Sequence, residues 1–200
     1  MKLYYSPTSP YARKVQVVAH EMGVPLELES VAIHSASSDF GKINPVHRIP
    51  ALVLDDGEVI LDSRVICEYL ITTQGADLIP AAGLEHWRVL KLQVLGDGLA
   101  DAAVPKQIEV TRPADKQWPP RLAALDRSLQ QTLDALEGMV DELSGLNLGI
   151  IAIGCGLGYL DLRFGHEPWR PGRPKLAAWF EAFSQRASMV DTFPVAPQPA

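Results

Sequence analysis

The spacing of apolar residues changes character about a third of the way along the chain. Lys2 to Tyr5 is short, aromatic-rich and closed by Ser6-Pro7, the pattern of a strand. From Tyr11 the period becomes helical, with Val15, Val18, Ala19 and Met22 at i, i+3, i+4 and i+7. Gly23 and Pro25 stop that helix. In Leu26 to Glu29 apolar and acidic residues alternate, predicting a second strand and hence a βαβ unit with parallel strands. The stretch from Ile33 to Val46, with Ser35, Ser37 and Ser38, is polar and irregular and has room for a short helix at most. A proline-led strand follows at Ile49 to Leu54. Asp55-Asp56-Gly57-Glu58 makes a hairpin turn, and Val59 to Leu61 is the returning strand. Asp62-Ser63 then caps a helix with the stripe Val65, Ile66, Tyr69 and Leu70, and Gly75 ends it.

Beyond residue 75 no strand pattern recurs. His86 to Val104 reads as helix, interrupted by Gly96 and Gly98. Pro119-Pro120 leads into a long amphipathic helix from Arg121 to about Leu143, striped by Leu122, Leu125, Leu129, Leu133 and Leu136. Leu148 to Phe164 is apolar all round, as suits the centre of a bundle. Pro174 to Arg186, with Trp179 and Phe183, is a further helix, and PVAPQPA is a Pro-rich, loosely ordered end. The predicted architecture is an α/β domain, β-α-β-(α)-β-β-α, over residues 1–76, followed by an all-α domain over 83–200.

Composition narrows the chemistry by exclusion. A net charge of -6 without any basic block gives no footing for a nucleic-acid partner. The longest apolar run, Leu148 to Leu160, falls short of the roughly 20 residues that span a bilayer. The N-terminus MKLYYSP lacks a hydrophobic signal core, so a soluble cytoplasmic protein is expected. Cys67 and Cys155 lie far apart in apolar stretches and read as buried thiols. The five histidines have no metal-ligand spacing, so no metal site is expected. GCGLG, Gly154 to Gly158, has neither the spacing nor the preceding strand of a dinucleotide loop; small residues for close helix packing are the better account. Near the start, Ser9-Pro10 has Ser at an N-cap and Pro at the first helical position, while Ser6-Pro7 closes the strand.

Four local patterns, MKLYYSPTSPYARKV, NPVHRIPAL, LDSRVICEYL and LGYLDLRF followed by RPKLAAWFEAF, occur in this order over nearly the whole chain. Together they resemble the glutathione transferase superfamily: a thioredoxin-like α/β domain with an all-helical second domain. The resemblance implies that Pro50 is cis and that Ile49, before it, exchanges backbone hydrogen bonds with the cysteinyl unit of glutathione. It places the γ-glutamyl group at Asp62 and Ser63, where a helix N-terminus attracts a carboxylate and Asp62 can hold the ammonium. Arg48 is the preferred cation for the glycyl carboxylate, being permanently charged and able to bind bidentately; His47 and Lys42 remain alternatives.

Ser9-Pro10-Tyr11-Ala12 is similar to the Cys-Pro-aromatic-x of glutaredoxin-like relatives, with Ser and Ala in the cysteine places. Thiol-disulfide exchange by a protein thiolate is thereby excluded at this position. What remains is activation of the thiol of glutathione, the co-substrate: a helix N-terminus and the Ser9 hydroxyl both favour its anion. Tyr5 and Thr8 are alternative donors. Arg13 either adds positive potential or faces the domain interface. The resemblance implies a transferase of the detoxification type. Its homodimer would add the glutathione thiolate to a small electrophile, in a site between the domains near Ala103, Lys106, Gln107, Val110 and Tyr159. The alternatives are a non-catalytic binding or adaptor protein and a glutathione-dependent isomerase or dehalogenase. One departure is Ile150, where relatives often have an acidic residue completing a capping box with the N-cap, here Asn147. On that basis Ile150→Asp is expected to raise the melting temperature modestly.

Overall fold

The computed structural model describes residues 1–32 and 39–194. The expectations for Ser35, Ser37 and Ser38, and for the Pro-rich end after Pro194, lie outside those residues. Contacts divide the chain into two compact units: Met1–Ala81 together with Ala187–Ala200, and Ala82–Arg186.

In the first unit, β1 (Lys2–Tyr5), α1 (Pro10–Glu21) and β2 (Glu27–Ser30) form the βαβ element, and β1 and β2 are parallel. β3 (Ala51–Val53) and β4 (Val59–Leu61) complete a four-stranded sheet of order β2-β1-β3-β4, both pairing antiparallel. The hairpin turn closes as its sequence suggests, with Gly57 at a φ of 90° and its N–H on the Leu54 carbonyl at 3.0 Å. α2 (Ser63–Gln74) starts at Asp62 and ends at Gly75, whose φ of 64° provides the left-handed cap that terminates a helix. The core between sheet and helices is Leu3, Val15, Val18, Leu52, Ile66 and Leu70, all without solvent exposure. This is the α/β layer that the apolar spacing predicts, and it is thioredoxin-like as the resemblance implied.

The second unit is helical: α3 (Gly83–Val110), α4 (Pro119–Gly138), α5 (Leu148–Phe164) and α6 (Pro174–Phe183). α5 lies at its centre, buried on all sides from Leu148 to Leu160. α3 runs unbroken through Gly96 and Gly98, contrary to the predicted interruption. The reason is tertiary. A Cβ at Gly96 would stand 2.3 Å from the Ile153 nitrogen of α5, and one at Gly156 would stand 2.8 Å from the Gly96 carbonyl oxygen. These glycines bring two helix backbones together instead of ending one. The same contacts account for Gly156 in GCGLG. α4 ends at Gly138, earlier than predicted, and a single 3-10 turn, Val140–Glu142, follows.

Two further expectations need correction. A seventh helix, α7 (Ala187–Asp191), belongs with the first unit, whereas the sequence boundary assigned all of 83–200 to the helical domain. Its Ser188 and Met189 are buried. Asn147 does cap α5, its Oδ1 accepting from the Ile150 N–H at 3.0 Å. Ile150 itself, however, is completely buried, so an aspartate there would be desolvated. Ile150→Asp is therefore expected to lower stability, not to raise it. Among the described residues no helix is long and apolar enough to cross a membrane.

Candidate functional site

The sheet register brings three chain segments to one edge of the first unit. Tyr4 pairs with Ala51, and Ala51 pairs with Leu61. The next residues, Tyr5, Pro50 and Asp62, therefore lie side by side at the same end of β1, β3 and β4. With neighbouring strands about 4.8 Å apart, the three span roughly 10 Å. From this edge the chain enters α1 through Ser6–Ser9 and α2 through Asp62.

Ser9 is the N-cap of α1. The turn before it is closed by the Ser9 N–H on the Ser6 carbonyl at 3.0 Å, so Ser6 finishes the strand as its sequence context predicts. The Ser9 Oγ accepts from the Ala12 N–H at 3.2 Å, and its carbonyl accepts from the Arg13 N–H at 3.0 Å. A hydroxyl has one proton and two lone pairs. Because the capping bond uses a lone pair, the proton stays available to a second group. α1 has no acidic residue in its first turn to offset the positive end of the helix, whereas α2 has the Asp62 carboxylate as its N-cap.

The Ile49–Pro50 peptide is cis, as the resemblance implied. Ile49 lies two residues beyond the Tyr4–Ala51 pair that ends the ladder. Among the described residues neither its N–H nor its carbonyl has a hydrogen-bond partner. Such an open backbone pair can take an extended peptide as an added strand. Asn44, buried, holds the approach to it. Its Nδ2 donates to the Arg48 carbonyl at 2.5 Å, its Oδ1 accepts from the Val46 N–H at 2.9 Å, and its carbonyl accepts from the His47 N–H at 2.9 Å. His47 takes a φ of 58° in this tight loop.

Asp62 caps α2, Oδ1 accepting from the Arg64 N–H at 2.8 Å, which leaves Oδ2 for a cation. Its φ of 69° with ψ of 135° is sparsely populated for a residue with a side chain and costs on the order of 1–3 kcal/mol. Ser63 is buried at the first position of α2, and its hydroxyl makes no hydrogen bond among the described residues. The three candidate cations differ. Lys42 is paired with Asp39 at 3.0 Å, the His47 ring lies 6.0 Å from the Phe40 ring, and Arg48 is exposed without an ion-pair partner among the described residues.

One residue near this edge was not singled out from sequence: Asn44 belongs to the quoted NPVHRIPAL, but its role needs the loop geometry. Arg13, for which the sequence left positive potential or an interface position open, is buried and bonded to the C-terminal segment. In the helical unit, Lys106 was named as a possible electrophile-site residue. There its ammonium bridges Asp126 (2.7 Å) and Glu167 (2.6 Å) and lies 4.6 Å from the Phe164 ring centre. These groups line a cavity of about 190 Å³ with Leu133 and Trp169, all within that unit. Burial opposes the charge on Lys106, but the bonds from Asp126 and Glu167 outweigh it and hold its pKa above the ordinary lysine value. Tyr159 is buried with Arg163 near its ring, and burial pushes its hydroxyl pKa up. Among the described residues no cluster of His, Cys, Asp and Glu could hold a metal.

The family model for the glutathione S-transferase N-terminal domain matches residues 8–73. Over 97% of its length the chain is 34% identical to an uncharacterized GST-like protein, YibF, from Escherichia coli (strain K12), covering 98% of that protein. It is 30% identical to glutathione S-transferase 3 of Zea mays, over 100% of this chain and 96% of that one. Among solved structures, a glutathione transferase family member from Pseudomonas fluorescens Pf-5 with bound glutathione superposes with a TM-score of 0.93. That pair shares 39% identity, over 98% of this chain and 99% of the other.

Proposed function

The chain belongs to the glutathione S-transferase family, and from that premise we propose that it is a glutathione transferase whose Ser9 hydroxyl stabilises the glutathione thiolate. The observation that carries this reading is the sheet edge where α1, the cis-proline loop and α2 meet. Each of the three offers groups that complement one part of the tripeptide. The open N–H and carbonyl of Ile49, beside Pro50, pair with the cysteinyl unit. The N-terminus of α2 and the Ser63 hydroxyl take the γ-glutamyl carboxylate, and the free Asp62 oxygen takes its ammonium. Arg48 pairs with the glycyl carboxylate, because Lys42 already has Asp39.

Bound this way, the cysteinyl sulfur faces the start of α1. A free thiol has a pKa of about 8.5, lowered at helix N-termini. The Ser9 proton, uncommitted by the cap, donates to the sulfur and favours the anion further. That thiolate then attacks an electrophilic carbon, the sulfur–carbon bond forming as the leaving group departs or the acceptor gains a proton. The protein acts as a cytoplasmic homodimer in this reading.

Calorimetric titration with glutathione, followed by conjugation assays on aryl halides, enones and epoxides, tests the proposal. Binding with turnover of at least one class supports it. No binding at millimolar glutathione would remove both the transferase and the isomerase or dehalogenase readings. Binding without any turnover would favour a non-catalytic member. If Tyr5→Phe rather than Ser9→Ala slowed conjugation, the donor would be Tyr5.

A further inference from the structure

Arg13 is an arginine with 5% exposure on the helix that Ser9 caps. A buried guanidinium is costly unless its donors are used, so its partners matter. One donor goes to the Met189 carbonyl at 2.8 Å and Nε reaches Thr192 Oγ1 at 3.5 Å, while the Phe193 ring centre lies 5.7 Å from the guanidinium carbon. These three groups come from the C-terminal segment, more than 170 residues away in sequence. That segment also holds the far end of the same helix: His20 Nε2 meets Asp191 Oδ2 at 2.9 Å, and the Ser188 hydroxyl donates to the Glu21 carboxylate. Thr192 folds the segment on itself by donating to the Ser188 carbonyl at 2.6 Å. The attachment thus runs along about 12 Å of α1, from its first turn to its last.

Arg13 is also bonded directly to the N-cap, since its own N–H makes the first helical hydrogen bond to the Ser9 carbonyl. We propose that residues 187–194 are a strap that fixes the first turn of α1, and that Arg13 is the positioning residue through which the strap sets the Ser9 hydroxyl. The inference rests on the proposed role of Ser9. It assigns Arg13 to geometry: its charge is directed to the strap and not to the sulfur. Loosening the strap leaves the groups of the cis-proline loop and of α2 in place but lets the N-cap turn that carries Ser9 fray.

The test perturbs the contact from both sides in the full chain: Arg13→Gln on the helix, and the triple variant Asp191→Ala, Thr192→Val, Phe193→Ala on the strap. Hydrogen exchange at the Ala12, Arg13 and Lys14 amides should quicken at least about tenfold in both, with amides of α2 and α5 unchanged. Both variants should raise the pKa of the bound glutathione thiol and lower kcat below it, with glutathione KM changed less than twofold or so. Arg13→Lys, which keeps the charge but not the forked donors, should resemble Arg13→Gln. A wild-type profile in Arg13→Lys would instead assign the effect to charge and overturn the strap. Unchanged α1 exchange, or an equal rise throughout the unit, would also overturn it. If Ser9→Ala shifts the thiol pKa and the strap variants do not, the strap inference fails alone. If Ser9→Ala shifts nothing, the Ser9 reading fails, and the exchange data still decide whether the strap holds α1.

Discussion

Ser9→Ala removes two things that can be measured separately. The first is the cap: the Ala12 N–H loses its acceptor at 3.2 Å. Replacing a serine N-cap by alanine costs about 1 kcal/mol of stability. For a chain of 200 residues that lowers the melting temperature by roughly 2–4 °C. The second is the proposed donor to the sulfur. A hydrogen bond to a charged group contributes about 1.5–3 kcal/mol, which corresponds to a rise of roughly one to two units in the bound thiol pKa. The more basic thiolate is also the better nucleophile, with a Brønsted slope of about 0.4–0.5. Below both pKa values conjugation should therefore slow by only about 3- to 16-fold, and above both the variant should be no slower than wild type. Ultraviolet titration of the bound thiolate and a pH–rate profile read this effect, and thermal unfolding reads the cap. Ser9→Asp separates the two. Aspartate caps as well as serine, so stability stays, but its charge beside the sulfur raises the thiol pKa further. A lower melting temperature in Ser9→Ala with an unmoved thiol titration would refute the donor role and leave Ser9 as helix punctuation alone.

Arg48→Ala should weaken glutathione binding by calorimetry about tenfold, and Lys42→Ala much less, since Lys42 is already paired with Asp39; equal losses would contradict that ranking. Ile150→Asp should destabilise by about 2 kcal/mol or more in chemical denaturation, because lost burial and a desolvated carboxylate exceed the gain from a reciprocal cap. Gly96→Ala should cost at least about 3 kcal/mol, since its Cβ would meet α5 backbone atoms that cannot rotate away. The Lys106 hydrogen bond holds the Glu167 pKa below the ordinary carboxylate range. Its stabilising effect is complete above the usual value of about 4.3 and is lost as pH falls through the depressed one. The stability difference between wild type and Lys106→Met, followed by denaturant titration, should accordingly shrink as pH drops below about 4.

Where function and fold were readable, the cause was local. Ser9-Pro10, Gly57, Asp62-Ser63 and Gly75 each dictate a turn or cap through their own backbone preferences, and the structure places each where its chemistry predicts. Pro50 is cis, as the resemblance carried by NPVHRIPAL implied and composition alone did not. Where reading failed, the partner was distant. Gly96 and Gly98 resemble helix breaks until Ile153 and Ala152 of α5 are seen against the Gly96 backbone. Ile150 resembles an incomplete cap until its burial is known. Arg13 has no local signal for its role, because the Met189 carbonyl that it meets lies 176 residues further on. Asn44 is intermediate: Asn-Pro marks a turn, but its side-chain bonds to Val46 and Arg48 appear only once the loop is folded.

The central claim is that the N-terminus of α1 and the Ser9 hydroxyl together favour the anion of bound glutathione. The most direct measurement is the pKa of the glutathione thiol in its complex with the wild-type protein, by ultraviolet titration against free glutathione. The account predicts a value at least about one unit below the free-thiol value of about 8.5. A bound thiol that titrates with the free one would contradict it.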